Sequence, residues 1–159
     1  MATRSKLGVL VLLGLLPVAS CTLPAYINLG LQLVSAVNAA PEGQKICAAF
    51  EVLGLEDDPA VVADLINFAL TQQGSQASFT IQDAETLLAI VRTINCEFAS
   101  CLVAEIKALG PPEEDAAIAD WVIARRTLLA SIADNCPSPV GLTDDQLVDL
   151  VRLMQSLDL

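Results

Sequence analysis

The stretch that decides the fold class runs from Thr80 to Pro112 and reads TIQDAETLLAIVRTINCEFASCLVAEIKALGPP. A threonine suits a helix N-cap, and a glycine followed by two prolines is a typical helix stop. Between these ends, apolar residues recur at the spacing of one helix face. That face consists of Leu87, Val91, Ile94, Phe98, Leu102 and Leu109. The stretch therefore predicts a long amphipathic helix.

Helix start and stop signals also occur on both sides of this stretch. Asp58-Pro59 offers an N-cap followed by proline at the first helical position, and Gly74 follows as a stop. Glu113-Glu114-Asp115 places negative charge at the start of a further helix, where the helix dipole favours it. Thr143 and Gln146 have the spacing of a capping box. The last helix, 143–158, has an apolar face formed by Leu147, Leu150, Val151, Met154 and Leu157.

An uncharged segment precedes these helices. Thr22 and Pro24 favour a first helix that continues to Val37. Its polar residues form one narrow stripe, Asn28, Gln32 and Ser35. A helix this apolar is either buried or lies against lipid. No stretch alternates as a strand would, so the sequence predicts an all-α fold, a small bundle of about five to six helices within a single domain at 21–159.

Two parts of the chain align without gaps at an offset of 56 residues. Leu53-Gly54 aligns with Leu109-Gly110, and Leu65 aligns with Trp121. Residues 45–96 and 101–136 would then be two copies of one unit, each opening and closing with a cysteine. Repeats of this kind stack to share a core. We therefore predict a duplicated helical module.

The N-terminal residues have the pattern of an export signal. Arg4 and Lys6 precede an apolar run, Leu7 to Leu16, of signal-peptide length. The run is followed by Val18-Ala19-Ser20-Cys21, which resembles the lipobox of bacterial lipoproteins. The resemblance implies that residues 1–20 are a signal peptide. It also implies that Cys21 receives a diacylglyceryl group and an N-linked acyl chain such as palmitate.

Two other interpretations of this segment stay open. An ordinary secretory signal would be cut before Cys21, or after Val37-Asn38-Ala39, and would release a secreted protein. An uncleaved anchor from Leu7 to Tyr26 would be long enough to span a bilayer. Pro17 and Pro24 interrupt such an anchor.

Cysteine counting supports lipidation of Cys21. The chain has five cysteines, and an odd number leaves one thiol to be explained in an exported protein. With Cys21 lipidated, four remain, which favours two disulfides in an oxidising compartment. The four are Cys47, Cys96, Cys101 and Cys136. Four buried free thiols are the alternative.

The repeat proposes that Cys47 pairs with Cys96 and that Cys101 pairs with Cys136. In one regular helix Cys96 and Cys101 point about 140° apart and cannot bond each other, so they need different partners. The alternative pairing, 47 with 101 and 96 with 136, stays open.

The proposed pairs constrain the helices. Since Cys96 and Cys101 face different directions, the long helix must be sandwiched between other elements or broken near Asn95. From the turn at 110–112, Cys101 lies about 12 Å back, whereas Cys136 lies about 36 Å along a straight following helix. The second bridge therefore requires a bend near 125–128, where no glycine or proline helps.

Charge narrows the choice of partner. Residues 21–159 contain six basic and nineteen acidic residues, so their net side-chain charge is −13. We expect no nucleic-acid partner, because phosphate binding depends on Lys and Arg. Repulsion from anionic headgroups also favours acyl chains, rather than a basic face, as the membrane attachment.

Residues suited to catalysis are scarce. The absence of histidine excludes Ser/His/Asp and Cys/His nucleophiles and every His-ligated metal site. No phosphate-binding glycine loop and no paired C-x₂-C spacing occurs. Carboxylates cluster at 56–58, 113–115 and 144–145, but they lack the ligand spacing of an EF-hand and lie where helix N-termini favour acid. We predict that the protein is not an enzyme and has no cofactor and no metal site.

Trp121, Arg125 and Arg126 are weak candidates for a binding surface. An exposed tryptophan beside arginines is a typical binding anchor, and the two arginines could contact an anionic group. The alternative places Trp121 in the core, since it aligns with Leu65 in the repeat. It pairs the arginines with this protein's own carboxylates.

These observations predict an exported lipoprotein on the periplasmic or cell-surface face of the envelope. There it would have a non-enzymatic binding or structural role, with an unidentified envelope protein as its partner. A carrier of an apolar ligand or lipid within the helical bundle is the second hypothesis. A secreted soluble helical protein is the third.

Overall fold

A computed structural model describes residues 23–159, and within this range it contains helices and no strand. The eight helices are α1 (Ala25–Ala39), α2 (Lys45–Leu53), α3 (Pro59–Gln72), α4 (Ile81–Thr93), α5 (Cys96–Ala108), α6 (Asp115–Ala124), α7 (Arg126–Asn135) and α8 (Asp144–Leu157). The predicted all-α class is confirmed. The predicted signal peptide at 1–20 and its neighbour Cys21 lie outside the described residues. Of the helices in 23–159, none is long and apolar enough to cross a membrane.

The prediction of about five to six helices is wrong, since residues 23–159 form eight. The long helix that starts after Thr80 divides after Thr93, and the helix that starts at Asp115 divides at Arg125. The third addition is α2, whose N-cap residue Gln44 makes no side-chain capping bond. With neither a capping side chain nor an acidic residue in its first turn, α2 has no start signal in the sequence.

The first break lies at Ile94 and Asn95. Ile94 has an extended backbone (φ −106°, ψ 147°), and the Asn95 side chain accepts the backbone N–H of Phe98 at 2.8 Å. Asn95 is thus the N-cap of α5, the role that asparagine fills best in helices. The cysteines allowed either a continuous helix sandwiched between other elements or a helix broken near Asn95, and the structure shows the broken helix.

The second break is confined to Arg125 (φ −114°, ψ 17°). Its backbone N–H donates to the carbonyl of Val122 and its carbonyl accepts the N–H of Leu129, so one residue ends α6 and begins α7. This is the bend that the Cys101–Cys136 pair required, and neither glycine nor proline produces it.

Two disulfides join the helices. Cys47 bonds Cys96, with their Cα atoms 5.3 Å apart, and Cys101 bonds Cys136, with their Cα atoms 5.7 Å apart. The pairing proposed from the repeat is confirmed, and the alternatives of crossed pairs and free thiols are wrong. Closing loops of this length stabilises the fold by about 4 kcal/mol each in the chain-entropy account. The repeat itself stays a prediction.

One apolar core runs through the bundle. α1 packs on α2 and α3, α3 packs on α4, and α8 packs on α4 and α6. The approach of α1 to α3 is close at Gly30, where an added Cβ atom would lie 2.6 Å from the Phe68 ring. The largest side chains without any solvent exposure include Leu33, Leu53, Leu65, Leu70, Phe98 and Ile106.

The predicted caps and the face of the last helix are confirmed. Thr80 forms a capping box with Asp83, and Thr143 forms one with Gln146. Asp58 caps α3 by accepting the N–H of Ala60. The face predicted for α8 is buried, and it consists of Leu147, Leu150, Val151, Met154 and Leu157.

One asparagine holds the loop between α3 and α4. The amide nitrogen of Asn67 donates to the carbonyl of Phe79 at 2.9 Å, and its side-chain oxygen accepts the N–H of Phe79 at 2.8 Å. No pattern in the sequence predicts this role of Asn67, since it lies in mid-helix and its partner is distant in the chain.

The substitution Asn67→Ala is expected to lower the free energy of unfolding by about 1–3 kcal/mol, because it leaves both backbone groups of the buried Phe79 without their partner. Urea denaturation under oxidising conditions measures the change. Asn38→Ala, at an exposed helical position in α1, is the matched control and should stay within about 0.5 kcal/mol of the unmodified protein. Equal losses in the two variants would contradict this role.

Candidate functional site

The three residues proposed as a binding surface make two separate sets of contacts. Trp121 is partly buried against the core, and the Arg125 guanidinium lies over its ring, 4.8 Å from the ring centre. The Nε atom of Arg126 instead donates to Asp144 on α8 at 3.1 Å. The two adjacent arginines are thus divided between different contacts, and a binding role for this surface stays a prediction.

The carboxylate clusters make local contacts. Glu56 accepts the backbone N–H groups of Asp57 and Asp58, and Asp144 pairs with Arg126. Asp115 begins α6 and contacts Arg152 of α8. In the range 23–159, no group of three or more cysteine, aspartate and glutamate side chains is arranged to hold a metal ion.

A cluster of charged side chains connects three helices at Arg152. The Arg152 side chain is 12% exposed and contacts Asp115 of α6 at 2.8 Å, Asp83 of α4 at 3.2 Å and Asp149 of α8 at 3.1 Å. It also donates to the carbonyl of Ser78. Its guanidinium carbon lies 4.3 Å from the centre of the Phe79 ring. We call Arg152, Asp83, Asp115 and Asp149 the Arg152 cluster.

The electrostatics of the Arg152 cluster are unbalanced, because three carboxylates share one guanidinium. Burial, and next the charge of Asp83, raise the pKa of Asp149 to about 7, although Arg152 opposes the shift. Burial also acts to raise the pKa of Asp83, but hydrogen bonds from Thr80 and Arg152 lower it overall. Burial acts to lower the pKa of Arg152, yet its bonds to Asp115 and the other carboxylates raise it. The guanidinium therefore stays charged, while Asp149 gains or loses a proton near neutral pH.

No pattern in the sequence predicts this cluster, and Arg152 was counted there only as a charge. Its partners Asp83 and Asp115 lie 69 and 37 residues away in the chain. The one local signal is Asp149, three residues before Arg152 on the buried side of α8, because a carboxylate there needs a partner. That signal does not reveal which distant residues complete the cluster.

A cavity of about 350 Å³ lies between residues 42–46 and one face of α5. Ile46, Val103 and Leu159 form its apolar lining and are 2%, 6% and 5% exposed. The residues that α5 contributes are spaced along a single helix face, and Ala104 is one of them. The volume lies within the usual range for small-molecule sites.

Two lysines, Lys45 and Lys107, line this cavity. The Nζ atom of Lys45 is 3.7 Å from one carboxylate oxygen of Glu42, and the Nζ atom of Lys107 is 3.9 Å from the other. Both distances exceed those of hydrogen bonds, and the Glu42 side chain is 77% exposed. No pattern in the sequence connects these residues, because Lys45 and Lys107 belong to different helices and lie far apart in the chain.

The fold and these features define a class, namely a strongly acidic, disulfide-bonded, all-α domain. The chain matches no protein-family model, no curated protein and no solved structure. Function must therefore be inferred from the residues and their geometry.

The substitution Arg152→Lys is expected to lower the free energy of unfolding by about 1–3 kcal/mol. A lysine cannot reproduce the forked contacts with three carboxylates, and it leaves buried charge without a partner. Arg126→Lys is the matched control, since Arg126 makes an exposed pair with Asp144 and should change stability by less than about 0.5 kcal/mol. Chemical denaturation at neutral pH measures both, and a loss in Arg126→Lys as large as that in Arg152→Lys would contradict the assignment.

The protonation of Asp149 predicts a dependence of stability on pH. Because its pKa is about 7 in the folded state and near 4 in the unfolded chain, the folded state holds the proton more tightly. The stability that the protonated Asp149 contributes is therefore fully present below about pH 4 and is lost as the pH rises through about 7. At pH 5 the substitution Asp149→Asn should raise stability by about one third of its effect at pH 8, because the unfolded chain already releases most of this proton above about pH 4. At pH 8 it should raise stability by about 1–2 kcal/mol, since water screens part of the full effect.

Thermal unfolding across pH 5 to 8 measures this difference. Asp64→Asn, at an exposed position in α3, is the control and should keep the pH dependence of the unmodified protein. If Asp149→Asn lowered stability equally at both ends of the range, the proton would not reside on Asp149.

Proposed function

We propose that this protein is an exported lipoprotein, anchored to a membrane through Cys21, with a non-enzymatic binding role at the cell envelope. The observation that carries the proposal is that Cys47, Cys96, Cys101 and Cys136 bond one another in two disulfides. Disulfides persist in compartments outside the reducing cytosol. Of the five cysteines in the sequence, Cys21 then has no cysteine of this chain left to bond, and lipidation accounts for it.

The position of α1 supports cleavage before this helix. Leu33 and Val37 of α1 are 0% and 1% exposed, because they pack into the core. A cut after Ala39 would remove the helix and expose the apolar surfaces of α2 and α3, at a cost of several kcal/mol. With Cys21 as the first residue, α1 would begin four residues later. The anchor would then hold the start of the bundle within about 14 Å of the membrane.

The use of basic residues supports a lipid attachment. Among residues 23–159, Arg92, Arg126 and Arg152 form ion pairs with aspartates, and Lys45 and Lys107 share the single carboxylate of Glu42. A sixth, Arg125, lies over Trp121. Little positive charge is left for anionic headgroups, so covalent acyl chains are the more effective attachment.

Mass measurement of the intact chain from a bacterial membrane fraction tests this proposal. We expect a product that begins at residue 21 and carries a diacylglyceryl group and an N-linked acyl chain. Reduction should add four hydrogens, two for each disulfide. Cys21→Ser should lose the lipid mass and leave the washed membrane fraction.

The double variant Cys47→Ser with Cys96→Ser is the matched control. It removes one disulfide, so it should keep the lipid mass and gain two hydrogens on reduction. A free N-terminus at Thr22 or Ala40 would contradict the anchor and favour a secreted soluble protein. Retention of Met1 would contradict cleavage altogether.

A carrier of an apolar ligand is the second candidate function, and the cavity beside α5 favours it. The uncharged α1, which suggested a carrier at first, packs its apolar residues Leu33 and Val37 into the core. The ligand would therefore occupy the cavity lined by Ile46, Val103 and Leu159 rather than a surface of α1.

A further inference from the structure

We infer that the cavity between residues 42–46 and α5 binds an amphiphile with a single alkyl chain and an anionic head group. This inference rests on the carrier function and adds the chemical class of the ligand. It does not depend on how the protein is attached to a membrane.

The lining of the cavity suits an alkyl chain. Ile46, Val103 and Leu159 are nearly buried, so they present a fixed apolar surface, and Ala104 and Ala108 of α5 extend it without filling the space. Apolar ligands bind such preformed pockets, where a few polar groups at the edge fix their orientation.

The charge at the cavity suits an anionic head group. Residues 21–159 contain only two lysines, Lys45 and Lys107, and both line this cavity in a domain with a large excess of acid. Each lysine carries a compact positive charge that binds a carboxylate or a phosphate. The placement of both at one apolar cavity indicates a ligand with negative charge at one end.

Glu42 lies between the two amino groups and is weakly held. Its oxygens are 3.7 and 3.9 Å from the amino groups of Lys45 and Lys107, beyond hydrogen-bond distance. Because the Glu42 side chain is 77% exposed, water also weakens its attraction to both lysines. A ligand carboxylate can therefore take the place of Glu42 between the lysines. Glu42 would compete with the head group for the same contacts.

The wall of the cavity is held covalently. Cys47 follows Ile46 directly and bonds Cys96 of α5, and its sulfur also lies 3.2 Å from the hydroxyl of Ser100. Ser100 itself lines the cavity. The disulfide therefore keeps residues 42–46 against α5, so that the site exists before a ligand arrives, which reduces the entropic cost of binding.

Three probes that share one tail test the inference, namely decanoate, decanol and decylammonium. Each probe is titrated into the mature protein, purified from the cells that express it, and the heat of binding is measured. If the protein is membrane-attached, it is held in phospholipid nanodiscs. If it is not, it is used in buffer. Empty nanodiscs supply the blank. We expect decanoate to bind at a single site at least about tenfold more tightly than decanol, with decylammonium weakest.

Four variants locate the binding site. Ala104→Trp fills the cavity from an exposed helical position and should abolish binding of both decanoate and decanol. Lys45→Met combined with Lys107→Met should reduce decanoate to the affinity of decanol and leave decanol unchanged. Glu42→Gln should tighten decanoate several-fold. Arg92→Met removes an exposed cation that pairs with Asp57 elsewhere, and it should change nothing.

Three results would overturn the inference. Absence of saturable binding of both decanoate and decanol removes the carrier function together with its ligand class. Equal affinity for decanoate and decanol leaves a carrier but removes the anionic head group. Unchanged decanoate binding by Ala104→Trp, with its thermal unfolding confirming the fold, places the ligand elsewhere. Absence of the lipid anchor is detected independently of ligand binding, because it changes the measured mass of the N-terminal residue.

Discussion

Both disulfides end on one helix, and the arrangement of the other helices depends on this constraint. α5 carries Cys96 as its first residue and Cys101 five residues later, so the two partners approach it from different sides. α2 is bonded at one side, and the residue that follows α7 is bonded at the other. The breaks at Asn95 and Arg125 allow this geometry, because straight continuations of α4 and α6 would carry the cysteines apart.

In the other half of the bundle, ion pairs rather than disulfides connect the helices. No disulfide reaches α4 or α8, and Arg152 links these two helices to α6. A partly buried ion cluster adds little net stability, because its groups lose their water, but the loss of Arg152 would leave three carboxylates without their shared cation. The excess of carboxylate over guanidinium leaves Asp149 to titrate near neutral pH.

Much of the fold follows from signals within a few residues of one another. The caps at Asp58, Thr80 and Thr143 and the buried face of α8 were predicted correctly, since capping bonds and helix periodicity are local. The repeat proposed the correct disulfide pairing, but helix geometry excluded only a bond between Cys96 and Cys101 and left the crossed pairing open. The helix α2 and the bridge at Asn67 were missed, because the first has no capping side chain and the second joins residues that only the fold brings together.

The sequence by itself determined the all-α class, the positions of most helix ends and the strong negative charge, and it proposed the cysteine pairing that the tertiary structure then selected over the crossed one. It also predicts the export signal and the lipid anchor, which lie outside the described residues. Only the tertiary structure decided where charges and apolar surfaces from distant segments meet. The three carboxylates around Arg152 and the two lysines beside one cavity come from separate helices, and no local pattern in the chain encodes their distances. Packing of the common core sets those distances, so the candidate ligand site appears only when the chain is folded.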